Sequence, residues 1–597
     1  MKQSNGKFYE DEYELALLDL LVEQGWEYTY GGKIHRHNRD VLLLDDLTSY
    51  LNRRYPDLTA QDIEEISNKL RHVSGQTHFE TLRNTYYLIR DGFRYVRHDD
   101  GKTFDIDFID YDGSDNTYRV VNQFEVGYGL GDNIRIPDVI LFVNGMPLCI
   151  FELKNPADEN ATIADAYDQI HIRYLRDIPH LLRYCPLSCI SDATVNNTKI
   201  GTTYTPYEHY YAWKKVNNED PVATKGLDQV RTIVAGVYEP SRFIEIFRDY
   251  CYFPDKDFDK EQEIVCRYPQ FFATRMLREH VREVYARGDR KGGTYFGATG
   301  CGKTYTMMFL ACQLSLRCAE LGSPTIVMIV DRDDLQTQAG KLFLRSTEYL
   351  SLGAAQVIPN RTILKQELAA RDSGGFFICT IQKFCEEIGE LNTRRNIICF
   401  SDEAHRTQLG TGTTLKVRTR TDVDEPETDT QAIATTEKDE SKIGAFVTKP
   451  YAEYLRTAFP HATFVGFTGT PIDEIIQVFG DIVDRYTMQQ AVDDEITKPL
   501  KYIPRIVQVT LDSTKVKEID EYYKKCADEG ATDADIAASK KAMSAMEVIL
   551  ADEERLERLA ADIIAHYEAA CANKPDVIQK AMIVCSKRYI GYNLLQK

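Results

Sequence analysis

Gly297-Ala298-Thr299-Gly300-Cys301-Gly302-Lys303-Thr304 is the stretch on which the reading of this 597-residue chain turns. It is a complete G-x-x-x-x-G-K-[ST] pattern, preceded by a short apolar stretch and followed by the helical YTMMFLACQLSL. Glycines there let successive backbone N–H groups converge on phosphate oxygens at a helix N-terminus. Lys303 would neutralise the outer phosphates, and the Thr304 hydroxyl can ligate Mg²⁺. A chance glycine turn explains the loop, but not the segments on either side of it.

Outward from this loop, apolar strands alternate with helical segments from about residue 290 to 480, the pattern of a parallel sheet flanked by helices. About a hundred residues after the loop, the apolar run NIICF leads into Ser401-Asp402-Glu403-Ala404-His405. Carboxylates at the end of a parallel strand lie where α/β ligand sites form. Asp402 would hold Mg²⁺ through water, and Glu403 would orient the water that attacks a γ-phosphate. The plainer reading is an acidic pair capping a helix. Upstream, Arg267-Tyr268-Pro269-Gln270 offers a glutamine amide able to pair with the amino group and N7 of adenine, which favours ATP; an ordinary helix start explains it almost as well. Residues 413–444 are polar and mostly acidic without apolar periodicity, which predicts a mobile surface insertion.

These motifs resemble superfamily 2 helicases and translocases of the DEAD/H-box kind. TIVMIVDRDDLQTQ from Thr325 is similar to motif Ia of that group. Thr380-Ile381-Gln382-Lys383-Phe384 is similar to its next DNA-contacting motif, and Phe467-Thr468-Gly469-Thr470-Pro471 to motif III. The resemblance implies a RecA-like motor domain that uses ATP and Mg²⁺.

A second constellation precedes the motor. Arg135-Ile136-Pro137-Asp138, VILFVNGMPLC and Ile150-Phe151-Glu152-Leu153-Lys154 read as two apolar strands joined at Asn144-Gly145. Asp138 and Glu152 could share a divalent cation, with Lys154 on the same face to position or help deprotonate an attacking water. A simple two-residue turn, however, places Asp138 opposite Phe151 and turns Glu152 away. Only a three-residue loop including Met146, or one bulge, pairs Asp138 with Glu152, and that one-residue shift is expected. The alternative is a charged, solvent-facing hairpin rim.

Composition is that of a soluble globular chain, with 43% hydrophobic and 27% charged residues, and the length predicts two to four domains. No apolar run reaches the length of a membrane span and the N-terminus lacks a signal-peptide core, so the expected location is the cytoplasm. The 14 cysteines form no C-x-x-C pair, which disfavours zinc and disulfides; Cys149, Cys379, Cys399 and Cys585 lie in strand-like apolar runs. A net charge of -20 argues against general coating of nucleic acid, without bearing on a single groove.

The hairpin resembles the PD-(D/E)xK nucleases. Its combination with the motor resembles the restriction (R) subunit of type I restriction-modification systems, on the order of NQFEV, the nuclease strands, YYAWK, DEAHR, FVGFTGTP and KAMIVC. The resemblance implies a PD-(D/E)xK endonuclease domain over 1–235, a first RecA-like domain over 236–490 and the incomplete start of a second over 491–597. It also implies a DNA-stimulated, ATP-dependent endonuclease acting on duplex DNA with methylase and specificity subunits. A Gln-x-x-x-Tyr element often follows the catalytic lysine in that family; here Gln169 and Tyr174 are one residue too far apart. A helix acid, Glu12 or Glu14, is a further candidate for metal support, with solvated helix residues as the plainer reading. The family's later motifs are missing, so a truncated chain that binds ATP but turns it over poorly is expected. Two other readings stay open: a helicase-nuclease of another repair or defence system, and a non-catalytic, nucleotide-responsive DNA-binding module.

Overall fold

The computed structural model describes residues 10–154, 162–255, 261–330, 341–350, 353, 355–384, 388–404, 414–418, 444–448, 451–470, 473–499, 502–504, 550–573 and 578–597. The chain is α/β. One compact unit comprises residues 1–409 and 451–498, and a second comprises 410–450 and 499–597.

The first unit holds two seven-stranded sheets. The N-terminal sheet takes its strands from β1 (Glu27–Tyr30), β2 (Tyr118–Asn122), β3 (Val139–Val143), β4 (Met146–Leu153), β5 (Leu187–Ser191), β6 (Thr198–Thr202) and β7 (Tyr211–Ala212), in that spatial order. It is mixed: β1 runs parallel to β2 and β4 parallel to β5, whereas the other neighbours are antiparallel. Every residue of β3 and β4 is buried, as expected of central strands whose sequence is almost continuously apolar. The first helix, α1 (Glu10–Glu23), ends just before Gly25, whose φ of +106° breaks the helical path. Three helices between Leu44 and Asp91 complete this region and were not anticipated from the sequence. Their apolar positions (Leu47, Tyr50 and Leu51; Ile63, Ile66 and Leu70) recur at helical spacing and are buried.

The second sheet is built from β8 (Lys291–Gly297), β9 (Thr325–Val330), β10 (Gln356–Val357), β11 (Phe376–Thr380), β12 (Ile397–Ser401), β13 (Thr463–Thr468) and β14 (Ile482–Tyr486). All are parallel, in the order β10-β11-β9-β12-β13-β8-β14. Phe296 lies beside Thr468, and Ser401 beside Gly466, so the C-terminal ends of β8, β12 and β13 open on one edge. One hydrophobic core runs from the N-terminal sheet into the helices flanking β8.

Cys149, Cys379 and Cys399 are buried in strands, but Cys585 is only half-buried. The expected strand Ala581–Cys585 is absent: this stretch pairs with no neighbour, and Met582 and Val584 are 87% and 82% exposed. A strand exists only by bonding to another, and none of the described strands lies alongside it. In the same unit a helix over Glu553–Asn573 buries Leu556 and Ala560 against Ile590 and Leu594 of a helix over Arg588–Gln596. The acidic insertion was expected to lack structure, yet its margins, Thr414–Arg418 and Gly444–Thr448, form an antiparallel pair. The residues between them lie outside the described set.

The β3-β4 hairpin keeps a two-residue turn, with φ of +48° at Asn144 and +80° at Gly145. Asn144 is fully buried: its Oδ1 accepts from Thr117 N at 2.8 Å and its Nδ2 donates to Phe108 O at 2.9 Å. Asn144→Ala strands both buried backbone groups and forces alanine into the left-handed region. It is expected to destabilise the first unit by roughly 2 to 4 kcal/mol, read from the shift of its urea-unfolding transition. An unshifted midpoint would show this turn to be dispensable.

Candidate functional site

The one-residue offset required by the hairpin is present as a bulge in β4. Val143 faces Met146 and Phe142 faces Pro147, but Leu141 faces Cys149, which leaves Leu148 as the extra residue. Val139 therefore faces Phe151, and Asp138 reaches the level of Glu152. Asp138 Oδ2 accepts from Leu153 N at 2.6 Å. Glu152 is 2% exposed, and Lys154 Nζ donates to its Oε1 at 2.8 Å and to Leu153 O at 3.0 Å. Burial, then the neighbouring Glu152 carboxylate, push the Asp138 carboxyl well above the usual carboxylate range.

The Gln169–Tyr174 spacing is resolved by local geometry. Residues 169–174 form a π-helical turn, which accommodates one more residue than an α-turn. Gln169 Nε2 thus reaches Tyr174 Oη at 3.1 Å, and Tyr174 Oη donates to Glu152 Oε2 at 3.0 Å. Burial and the Glu152 charge hold the Tyr174 phenol protonated, so it remains a donor. Of the two helix acids, Glu12 is exposed and Glu14 is buried on the sheet side. Glu14 Oε1 accepts from Asn122 Nδ2 at 2.7 Å, and Asn122 lies beside Val139 at the mouth of the site. Asn122 was missed by sequence reasoning; its signal was a lone amide closing an apolar strand.

Among the described residues no three His, Cys, Asp or Glu side chains form a ligand group for a metal ion. The Asp138–Glu152 pair nevertheless suits a hard divalent cation completed by backbone or water oxygens, because a cation relieves the repulsion that raises Asp138.

The loop after β8 has left-handed glycines at Gly300 (φ +86°) and Gly302 (φ +85°), and α2 (Lys303–Leu316) starts from it. Lys303 Nζ donates to Gly297 O at 3.3 Å and lies 3.6 Å from Glu403 Oε1. A Cβ on Gly469 would meet Thr299 Oγ1 at 3.2 Å, so the Thr468–Thr470 turn packs on the loop. Asp402 N bonds Ile329 O at 2.8 Å, which fixes the acidic turn to the end of β9, and Glu403 adopts φ +47°. Arg267–Gln270 starts a helix, α3 (Tyr268–Arg287), as its plainer reading held: Gln270 Oε1 accepts from Arg267 N at 2.9 Å. It also meets the loop, since Gln270 Nε2 lies 3.4 Å from Cys301 O and 3.3 Å from Gly302 O. Lys383 Nζ donates to Thr380 Oγ1 at 2.9 Å. His405, Pro471 and the Asp331–Gln338 part of the motif Ia segment lie outside the described residues. The structure thus gathers Gly297–Thr304, Gln270 and Glu403 at one edge of the second sheet, and Asp138, Glu152 and Lys154 at the mouth of the first.

Residues 7–209 match the family of type I restriction enzyme R protein N termini, and residues 269–536 match the SWI2/SNF2 ATPases. The chain is 31% identical, over 98% of its length, to the type I restriction enzyme HindI endonuclease subunit of Haemophilus influenzae. It is 27% identical over its whole length to the MjaIXP endonuclease subunit of Methanocaldococcus jannaschii. It covers 53% and 55% of those proteins, about half the length of the curated relatives it matches. A solved HsdR-subunit fragment from Vibrio vulnificus aligns at 14% identity over 77% of this chain and 72% of its own, with a TM-score of 0.23.

Two substitutions separate the sites. Lys303→Ala removes the charge facing the loop while its glycines remain, and is expected to abolish nucleotide binding in calorimetry; unchanged affinity refutes the assignment. Tyr174→Phe removes one donor to Glu152 and is expected to weaken Mn²⁺ binding at the N-terminal site about tenfold, leaving nucleotide binding intact. Equal Mn²⁺ affinity in the two proteins refutes a supporting role for the phenol.

Proposed function

We propose that the chain, whose residues 7–209 match the type I restriction enzyme R-protein N termini and residues 269–536 the SWI2/SNF2 ATPases, is the endonuclease and DNA-translocating subunit of such a system. On this reading residues 1–235 form the nuclease domain, 236–490 the first motor domain, and 491–597 belong to a second. The substrate is foreign duplex DNA, the partners are methylase and specificity subunits, and the setting is the cytoplasm. None of the described helices is long and apolar enough to cross a membrane.

The observation that carries the proposal is that one bulge turns two carboxylates and a lysine to a single point, in the same compact unit as a complete phosphate-binding loop. Asp138 and Glu152 are the groups to hold Mg²⁺, which when bound polarises a scissile phosphate. Tyr174 fixes one Glu152 oxygen and Lys154 the other; on phosphate binding the Lys154 ammonium is placed to orient the attacking water. At the motor, Gly297–Thr304 wraps the ATP phosphates, with Gln270 and Arg267 at the base. Thr304 and Asp402 are suited to Mg²⁺, and Glu403 to the attacking water. Lys303 exchanges its contacts with Gly297 O and Glu403 for the outer phosphates.

The two activities should therefore separate. In the complete assembly, Asp138→Ala is expected to abolish cleavage of circular DNA and to spare DNA-stimulated ATPase, since the motor holds its own cation. Glu403→Gln is expected to keep ATP binding and lose turnover, and cleavage with it. Linearisation of circular DNA by a folded Asp138→Ala assembly would sink the nuclease assignment.

A further inference from the structure

The N-terminal sheet does not end clear of the motor. Its last strand, β7, leads directly into Trp213 and Lys214, and both are built into the other sheet's surroundings. Trp213 is buried with its ring 5.4 Å from that of Phe271 on α3. Lys214 Nζ sits 3.0 Å from Asp494 Oδ1, and both side chains are almost wholly buried. Tyr268 and Tyr486 donate to the other Asp494 oxygen at 2.5 and 2.6 Å. A buried carboxylate with three partners fixes the end of β7 relative to α3 and β14.

Tyr211, the first residue of β7, is held by this anchor against Arg267. The Arg267 guanidinium stacks on the Tyr211 ring with its centre 3.6 Å from the centroid, and its Nη2 donates to the Tyr211 hydroxyl. Its Nη1 is buried and has no hydrogen-bond partner. A buried guanidinium donor without an acceptor is costly, and a ligand acceptor would remove that cost. The ligand's place is marked by Gln270, three residues along, which lies against the phosphate-binding loop. Burial raises the phenol of Tyr305, directly after Thr304, and the Arg267 charge opposes that rise.

We propose that Tyr211, a residue of the nuclease region, positions Arg267 to donate to a purine base, so that the nuclease sheet supplies part of the motor's nucleotide site. This rests on the nucleotide reading above and adds to it a base-binding element from outside the motor. A planar guanidinium stacked on a phenol loses its swing but keeps its in-plane donors, the requirement for reading a ring acceptor. Loss of the ring frees Arg267 to rotate; loss of the hydroxyl alone leaves the stack.

The test measures binding of ATP, GTP and inorganic tripolyphosphate to the full chain by calorimetry. Tyr211→Ala is expected to weaken ATP and GTP alike, each about tenfold, leaving tripolyphosphate unchanged. Tyr211→Phe is expected to retain most of both. Arg267→Lys keeps the charge without the plane; it should reproduce the alanine effect, and the double variant should be no worse than either single one. Unchanged ATP affinity in Tyr211→Ala, or equal losses of ATP and tripolyphosphate, would overturn the proposal. If Tyr211→Ala does not melt as the parent does, Arg267→Lys decides on the same criteria. Failure of the parent chain to bind either ATP or tripolyphosphate sinks the nucleotide reading itself. Binding of ATP and tripolyphosphate with equal affinity sinks only the role of Tyr211 and Arg267.

Discussion

The parity of an antiparallel hairpin decides whether the N-terminal site exists at all. Side chains alternate between faces, so a carboxylate on β4 meets Asp138 only when the residues between them sum to the correct register. The turn at Asn144-Gly145 gives the wrong one, and Leu148 corrects it by standing unpaired in β4. The same device appears at residues 169–174, where a π-turn takes up one extra residue and returns Tyr174 to Glu152. In both places a single surplus residue is absorbed within an element, whereas a loop would have absorbed it without constraining direction. Bulges and π-turns cost regular hydrogen bonds, and that cost is offset here by charge placement no regular hairpin or helix would allow.

Legibility in the sequence followed from how local each requirement was. A phosphate cradle needs consecutive N–H groups and therefore consecutive residues, so Gly297–Thr304 could be read directly. The need for a register shift was likewise readable, because Asp138, Glu152 and the turn between them obey simple parity. Its location at Leu148 was not, since any residue of two uniformly apolar strands could have been the surplus one. Asn122 and Glu14 meet across 108 positions, and nothing in either segment names the other. The run Ala581–Cys585 misled for the opposite reason: β-propensity is present, but a strand is a property of two segments.

Burial explains why the two sites are held differently. At the first, Glu152 is sealed in the sheet and both of its oxygens are engaged, by Lys154 and by Tyr174, so it has little freedom to reorient. At the second, Lys303 rests on a carbonyl at 3.3 Å and a carboxylate at 3.6 Å, distances that mark weak contacts which a phosphate can displace. The first arrangement preserves a geometry; the second stores an ammonium in a position from which it can be recruited.

Asp494 lies where these two logics meet. It joins Lys214, just past β7, to Tyr268 and Tyr486, and the helix that it caps, Met488–Asp493, follows directly from β14, the strand beside β8. A buried carboxylate gains little net stability from an ion pair, but leaving it unpaired is expensive, so separation of the two sheets at this point is strongly opposed. The N-terminal sheet is therefore fixed to the end of the second sheet that carries the glycine-rich loop. Any displacement of α3 against β14 would strain the contacts of Tyr268, Tyr486 and Lys214 together, because all three converge on the one Asp494 carboxylate.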